Sequence, residues 1–282
     1  MKRLIVCADD FGLDRAVNEA VEEAHRNGIL STASLMIGAP AARDAVARAK
    51  RLPKLHVGLH LNLVEGRPLL SPSEIPGLVR DDGKFDHDML RAGLRFFFSP
   101  RIRRQLAMEI CAQFAAFHAT GLVLDHANAH KHMHVHPTVA ALMVEIGRDY
   151  GLKAVRVPAE PVGPLRRAFP EERRSAPLYR PWVERLKTRL RRAGLATNDH
   201  LFGLAWSGAM TEERVLRLLP HLPDGVSELY FHPATERTPR LVKTMPRYRH
   251  RDELAALLSP ALAKRVGECG IGLVGYGDLA TA

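Results

Sequence analysis

Short apolar runs and amphipathic helical segments alternate along almost the whole chain, and this rhythm restricts the folds open to it. "RLIVCA" reads as a strand, followed by a helix from about Arg15 to Asn27. Asp14 is placed to cap that helix, Val17, Ala20, Val21 and Ala24 share one face, and Gly28 is the stop. "STASLMI", "LHVGLHLNLV", the run Leu122, Val123 and Leu124, "KAVRVP", "SELYFHP" and "IGLVGY" read as further strands. Between them lie helical patterns: "ARDAVARAKRL", the stripe Ile102, Leu106, Ile110, Phe114 and Phe117, and segments near Thr138 to Tyr150 and Asp252 to Val266. Strand, helix, strand repeated this often implies an α/β protein with a parallel sheet. About seven such units predict a closed or nearly closed β/α barrel. We expect one barrel domain over 1–282, interrupted by insertions at about 66–104 and 158–198.

The chain has 282 residues, 46% hydrophobic and 26% charged, which suits a soluble protein with a substantial core. Cys7, Cys111 and Cys269 are scattered and form no CxxC pair, so neither a disulfide framework nor a structural zinc site is expected. The apolar run Leu4 to Ala8 is too short for a signal peptide. No stretch reaches the roughly 18 apolar residues of a membrane span. A cytoplasmic location is the expectation.

The formal net charge is +10. Much of the excess lies in the two insertions, where "LRAGLRFFFSPRIRRQL" and "LYRPWVERLKTRLRRAGL" interleave arginine with Phe, Leu or Trp. Each alone reads as a solvated basic helix. Together they suggest peripheral contact with an anionic membrane, at the cytoplasmic face of an inner membrane.

Candidate chemistry gathers at strand ends, where parallel α/β sheets bind ligands. Asp9 and Asp10 follow the first strand. Adjacent carboxylates point in different directions, so one can bind a metal while the other stays free as a base. In the third strand Val57, Leu59, Leu61 and Leu63 alternate with His56, Gly58, His60 and Asn62, so His60 lies on a polar face. The stretch "NAHKHMHVHP" then places His130, His132, His134 and His136 at every second position, with His126 upstream. If the strand continued, neighbours on one face would sit about 7 Å apart. A metal accepts nitrogen at only about 2.0–2.1 Å. One histidine of the run is therefore a ligand, two at most, and the rest line the cleft or bind substrate. Asp10, His60 and that histidine would leave coordination positions open, as a catalytic site requires. Such a set suits Zn, and Mn, Ni, Co or Mg with less discrimination. His232 closes "SELYFHP" and Arg156 lies late in "KAVRVP". A histidine there can serve as an acid, and an arginine near Asp9 keeps that carboxylate ionised.

In this order, "CADDFG", "VGLHLNL", "NAHKHMHVH", "VRVP" and "YFHP" resemble the YdjC-like (ChbG-like) carbohydrate deacetylases over nearly the whole chain. "DHANAHKHMHVHP" and the Arg-rich insertions look closest to the hopanoid-biosynthesis-associated branch. The resemblance implies a distorted β/α barrel, one divalent metal and N-deacetylation of acetamido sugars, here an N-acetylglucosaminyl group on a hopanoid lipid. Carried onto this sequence, it makes Asp10, His60 and His130 the metal ligands. Asp9 becomes the general base with Arg156 as its partner, and His232 the general acid. Many members have Asp-Ser-His or Asp-Ala-His where this chain has Asn128-Ala129-His130. The small residue before His130 selects it; a shifted register would select His126, His132 or His134. Asn128 then stands behind the ligands, and His132, His134 and Asp199 are candidates for the cleft wall.

Rival readings remain distinguishable. A deacetylase of soluble chito-oligosaccharides would act without a lipid. A phosphoesterase usually needs a second metal about 3.5–4 Å from the first, and no second ligand set is apparent. A basic polyanion-binding protein would account for the charge but not for acids and histidines at strand ends. Nucleic acid is not an expected partner; a homo-dimer is a possible assembly.

Overall fold

In the computed structural model, residues 2–173, 175 and 179–279 are described; 174 and 176–178, within the second expected insertion, lie outside them. Seven strands form one parallel sheet: β1 (Lys2–Phe11), β2 (Thr32–Leu35), β3 (His56–Leu61), β4 (Ala127–Ala129), β5 (His200–Phe202), β6 (Gly225–Phe231) and β7 (Gly272–Leu273). The order is β4-β3-β2-β1-β6-β5, with β7 paired to the start of β1. Single bridges Ala127–Val155 and Ala154–Ala196 carry the ring onward from β4. Just before β5, the Asn198 side chain accepts from the Val157 N–H (2.6 Å) and donates to its carbonyl (2.8 Å). The result is a distorted β/α barrel with helices outside, as the alternation predicts.

β1 runs through the centre, buried from Leu4 to Phe11, because it has strands on both edges. Its C-terminal end is tied down by Asn18 on the first helix (Arg15–Asn27). The Asn18 side chain accepts from the Gly12 N–H (2.8 Å) and donates to Ala41 O (3.0 Å) and Asp44 (2.8 Å). Gly12 sits at φ +96°, a conformation open to glycine. Asp14 caps that helix through Ala16 N–H (3.1 Å).

Three sequence expectations need correction. Leu122–Leu124 is not a strand; Val123 is 85% exposed, and the strand begins only at Ala127. "KAVRVP" contributes bridges and no extended ladder, because each of its two neighbours meets it at one position. The single helix expected over Asp252 to Val266 is two, His250–Leu258 and Pro260–Glu268. Pro260 removes an N–H and Ser259 caps the second helix through Leu262 N–H (3.1 Å).

The segment 66–104 carries the helix Met89–Phe98 and opens the helix Pro100–His118; 158–198 carries Val162–Ala168 and Arg180–Arg192. Leu90 (75% exposed), Leu94, Phe97 and Phe98 (73%) form an apolar outer face on Met89–Phe98. Among the described residues, no helix is long and apolar enough to cross a membrane.

Candidate active site

The C-terminal ends of β1, β3, β4 and β6 open into one cleft of about 740 Å³, a volume suited to a sugar-sized ligand. Asp9, Asp10, His60, His130, His132 and His232 all line it. Two backbone irregularities bring them together. The β1–β2 register shifts between Ala8 and Phe11, and Asp10 adopts φ +62°. A left-handed non-glycine residue is strained, and such strain concentrates at functional sites. This bulge delivers two consecutive carboxylates to the same cavity, where a regular strand would send them to opposite faces. Beyond β4, Lys131 (φ +52°) and His132 (φ +54°) are left-handed in succession, within the tight turn His130–Val135.

That turn settles the alternating histidines, because the strand does not continue and they share no face. His130 points to Asp10, its Nδ1 lying 3.1 Å from Asp10 Oδ1. His132 lines the cleft, edge-on to Tyr230 at 5.5 Å. His134 is wholly buried and turned away from the cleft: its Nδ1 accepts from Ala129 N–H (3.0 Å) and its Nε2 donates to Arg156 O (3.0 Å). Burial pushes that imidazole down to about 3, as a neutral ring with both nitrogens engaged requires. His136 caps the helix Pro137–Asp149 through Thr138 N–H (3.3 Å).

Asp10, His60 and His130 form a candidate metal site. Their donor atoms lie within 4.8 Å of one another, the one such group of three among the described residues. His60 Nε2 is 3.4 Å from Asp10 Oδ1, while its Nδ1 meets Asn128 Oδ1 at 2.5 Å. Asp10 Oδ2 is buried without a hydrogen-bond partner. An orphaned carboxylate oxygen beside two imidazoles is satisfied by a cation. Without one, the site draws a proton: burial disfavours a charged His130, but Asp10 and Glu65 raise it to about 9.

Asp9 is held differently. Arg156 donates to both its oxygens, Nη1 to Oδ2 (2.6 Å) and Nη2 to Oδ1 (2.8 Å). The same guanidinium donates to Glu228 Oε1 through Nε (2.9 Å) and Nη2 (2.6 Å), and Tyr276 donates to Glu228 Oε2 (2.5 Å). Asp9, Arg156, Glu228 and Tyr276 are all buried. Burial opposes ionisation of Asp9, but Arg156 outweighs it and holds the carboxyl well below the usual range. Asp9 is therefore a carboxylate beside the three-donor set and outside it.

His232 sits across the cleft with a buried, unpartnered Nδ1. Burial pushes it down to about 4, against the pull of Asp10 and Asp9, so the ring is neutral near pH 7. Glu253 holds its backbone, accepting from the N–H groups of His232 and Met210. Sequence reasoning missed Glu228 and Glu253. Glu228 carried a signal, a lone acid inside the apolar strand "SELYF". Glu253 had none, since it reads as one more exposed first-turn acid.

Asp199 does not belong to the cleft. It lies before β5, at the opposite end of the barrel, where it accepts from Val226 N–H (2.9 Å) and Arg191 (2.6 Å). Asn128 and His134 stand behind the cleft and do not line it.

Residues 3–268 match the family described as YdjC-like protein. A carbohydrate deacetylase of Geobacillus stearothermophilus is 31% identical over 274 residues, 96% of both chains. A carbohydrate deacetylase of Thermoanaerobacter pseudethanolicus is 31% identical over 234 residues, covering 83% of this chain and 82% of that one. Among solved structures, a putative cellobiose-phosphate cleavage protein of Enterococcus faecalis superposes with a TM-score of 0.78 at 24% identity, over 99% and 98% of the two chains. The family match over residues 3–268, with a relative 31% identical over 96% of both chains, establishes that the chain belongs to the YdjC-like family.

Proposed function

We propose that the protein is a metal-dependent carbohydrate N-deacetylase, a hydrolase of an amide bond. The observation that carries this reading is a carboxylate, Asp9, held by Arg156 outside the three-donor set and in one cleft with Asp10, His60 and His130. The names of the curated relatives support the reaction class. Asp10, His60 and His130 would hold the ion, zinc by preference. When bound, it supplies electrophilic polarisation of the acetamide carbonyl and acidifies water.

The remaining work falls to the protein's own side chains. Asp9, ionised at any working pH, takes a proton from the attacking water. Arg156 fixes its orientation and keeps it charged. His232 enters neutral, takes a proton from solvent as the C–N bond begins to break and gives it to the departing amine nitrogen, while Asp9 returns its proton to solvent, leaving acetate and a free amino sugar. His132 and Tyr230 shape the wall against the sugar.

For the substrate, the reading is an N-acetylglucosaminyl group carried on a hopanoid lipid. The apolar face of Leu90, Leu94, Phe97 and Phe98 supports it. That helix packs on the histidine turn, with Phe96 and Phe97 against His136 (6.0 and 6.2 Å between centroids). A soluble chito-oligosaccharide is the second reading; the relatives are named carbohydrate deacetylases, a name that carries no lipid. Acetate release from both substrates, with wild type, Asp9→Asn and His130→Ala, decides. Equal release by all three would end the site assignment. Release from the soluble sugar alone would end the lipid reading.

A further inference from the structure

Behind His60 runs a line of polar side chains that the deacetylase reading leaves unused. His56 Nδ1 meets Asp125 Oδ1 at 2.9 Å, and Asp125 Oδ2 meets His126 Nδ1 at 2.9 Å. His126 Nε2 meets Ser34 Oγ at 3.1 Å, Ser34 Oγ meets Asn128 Nδ2 at 2.9 Å, and Asn128 Oδ1 meets His60 Nδ1 at 2.5 Å. Ser34, His126 and Asn128 are wholly buried, and Asp125 nearly so. The line follows β3 from His56, half-buried at the far end of the barrel, to His60 in the cleft. At strand rise that is about 13 Å. Room is reserved for it: a Cβ on Gly58 would lie 2.3 Å from His126 Cε1, and Tyr276 stacks on the His126 ring at 4.7 Å.

The line has a direction. A carboxylate only accepts, so His126 gives its Nδ1–H to Asp125. A neutral His126 then offers only a lone pair at Nε2, which takes the Ser34 hydroxyl hydrogen. The Ser34 oxygen is left to accept from Asn128 Nδ2. This turns the amide oxygen toward His60, whose Nδ1–H it receives. His60 Nε2 is thereby left with its lone pair facing Asp10. The competing arrangement reverses the amide. Its oxygen then accepts from Arg156 Nη1 (2.9 Å) and Ser34 Oγ (2.9 Å), and its nitrogen donates to His60 Nδ1. That moves the His60 proton to Nε2, where a cation would bind. Arg156, which only donates, favours the reversed amide, with Nη2 and Nε also at 3.3 Å from that oxygen. The Ser34 hydroxyl hydrogen cannot serve His126 and Asn128 at once, so its commitment to His126 is what opposes the reversal.

We propose that Ser34, His126 and Asp125 are positioning residues for the metal site: by holding the Asn128 amide with its oxygen on His60, they keep Nε2 free and raise the affinity for a divalent cation. The proposal rests on the metal-site reading above and is tested apart from it. Zinc affinity is measured by competition with a chromophoric chelator for wild type, Ser34→Ala and Ser227→Ala; the last removes a buried hydroxyl that has no partner. Ser34→Ala is expected to weaken zinc binding roughly 10–100-fold, the usual effect of losing an outer partner of a ligand, with Ser227→Ala unchanged. Binding by Ser34→Ala within twofold of wild type overturns the proposal. Nitrogen-15 NMR of histidine-labelled wild type needs no variant. His126 is expected as the neutral Nδ1–H form, and His60 as Nδ1–H once zinc is added; a His126 proton on Nε2 overturns the relay. Should wild type bind no zinc, the metal-site reading fails, while the His126 tautomer in the metal-free protein still decides the direction of the line.

Discussion

Replacing Arg156 with methionine is the sharpest test of the electrostatics beneath the cleft. The side chain is wholly buried and donates to Asp9 and Glu228 together. Methionine fills much of the volume and removes the charge. Glu228 keeps the Tyr276 hydroxyl, but Asp9 keeps only a thiol contact, Cys7 Sγ at 3.8 Å. A buried carboxylate stripped of its cation relaxes by binding a proton, and this caps its cost. From an unfolded value of about 3.9, at about 1.36 kcal/mol per pH unit, the cap for Asp9 is about 4 kcal/mol at pH 7 and about 1.5 kcal/mol at pH 5. This agrees with the about 3–5 kcal/mol typical of breaking a buried ion pair. The sign follows from the wild type. The Asp9 value is depressed, so its contribution is present above the unfolded value and lost only as pH falls through the folded one. In Arg156→Met the value is raised, and the penalty grows with pH. Urea unfolding at both pH values should show a stability gap near 4 kcal/mol at pH 7 that narrows by about 2.5 kcal/mol at pH 5. A gap below 1 kcal/mol, or one indifferent to pH, would refute the reasoning.

Two further outcomes are expected. The carboxylate of Asp125 accepts a hydrogen bond from His56 and raises that imidazole, so the pair stabilises the fold below the ordinary histidine value and loses this as pH rises through the folded one. The stability difference between wild type and His56→Gln should be largest near pH 5.5 and shrink by pH 9; a constant difference contradicts the pairing. On the outer face, Leu90→Ser with Phe98→Ser should cut co-sedimentation with anionic vesicles by roughly 100-fold, from about 1.5 kcal/mol or more per apolar side chain. Absence of wild-type pelleting at low salt counts against a membrane role for this helix.

The barrel was legible because its strands are apolar runs bounded by capped helices, and period and caps are local properties. The strand-end carboxylates and His60 were legible for the same reason. The histidine run was not, because its outcome turned on Lys131 and His132 entering the left-handed region, which no side-chain pattern announces. Asp199, a candidate for the cleft wall, sits at the entry to β5, and the topology puts that entry at the opposite end from the cleft. Leu122–Leu124 shows the converse, an apolar run without a neighbour on which to form a ladder. Glu228 and Ser34 acquire meaning only through partners far off in sequence, Arg156 at a separation of 72 and His126 at 92.

The most direct test of the central claim is anomalous diffraction at the zinc edge from a crystal soaked in zinc. The account predicts one peak bounded by Asp10, His60 Nε2 and His130, with nitrogen distances of about 2.0–2.1 Å and Asp9 uncoordinated on Arg156. No peak in the cleft, or a peak ligated by Asp9 in place of Asp10, would contradict it.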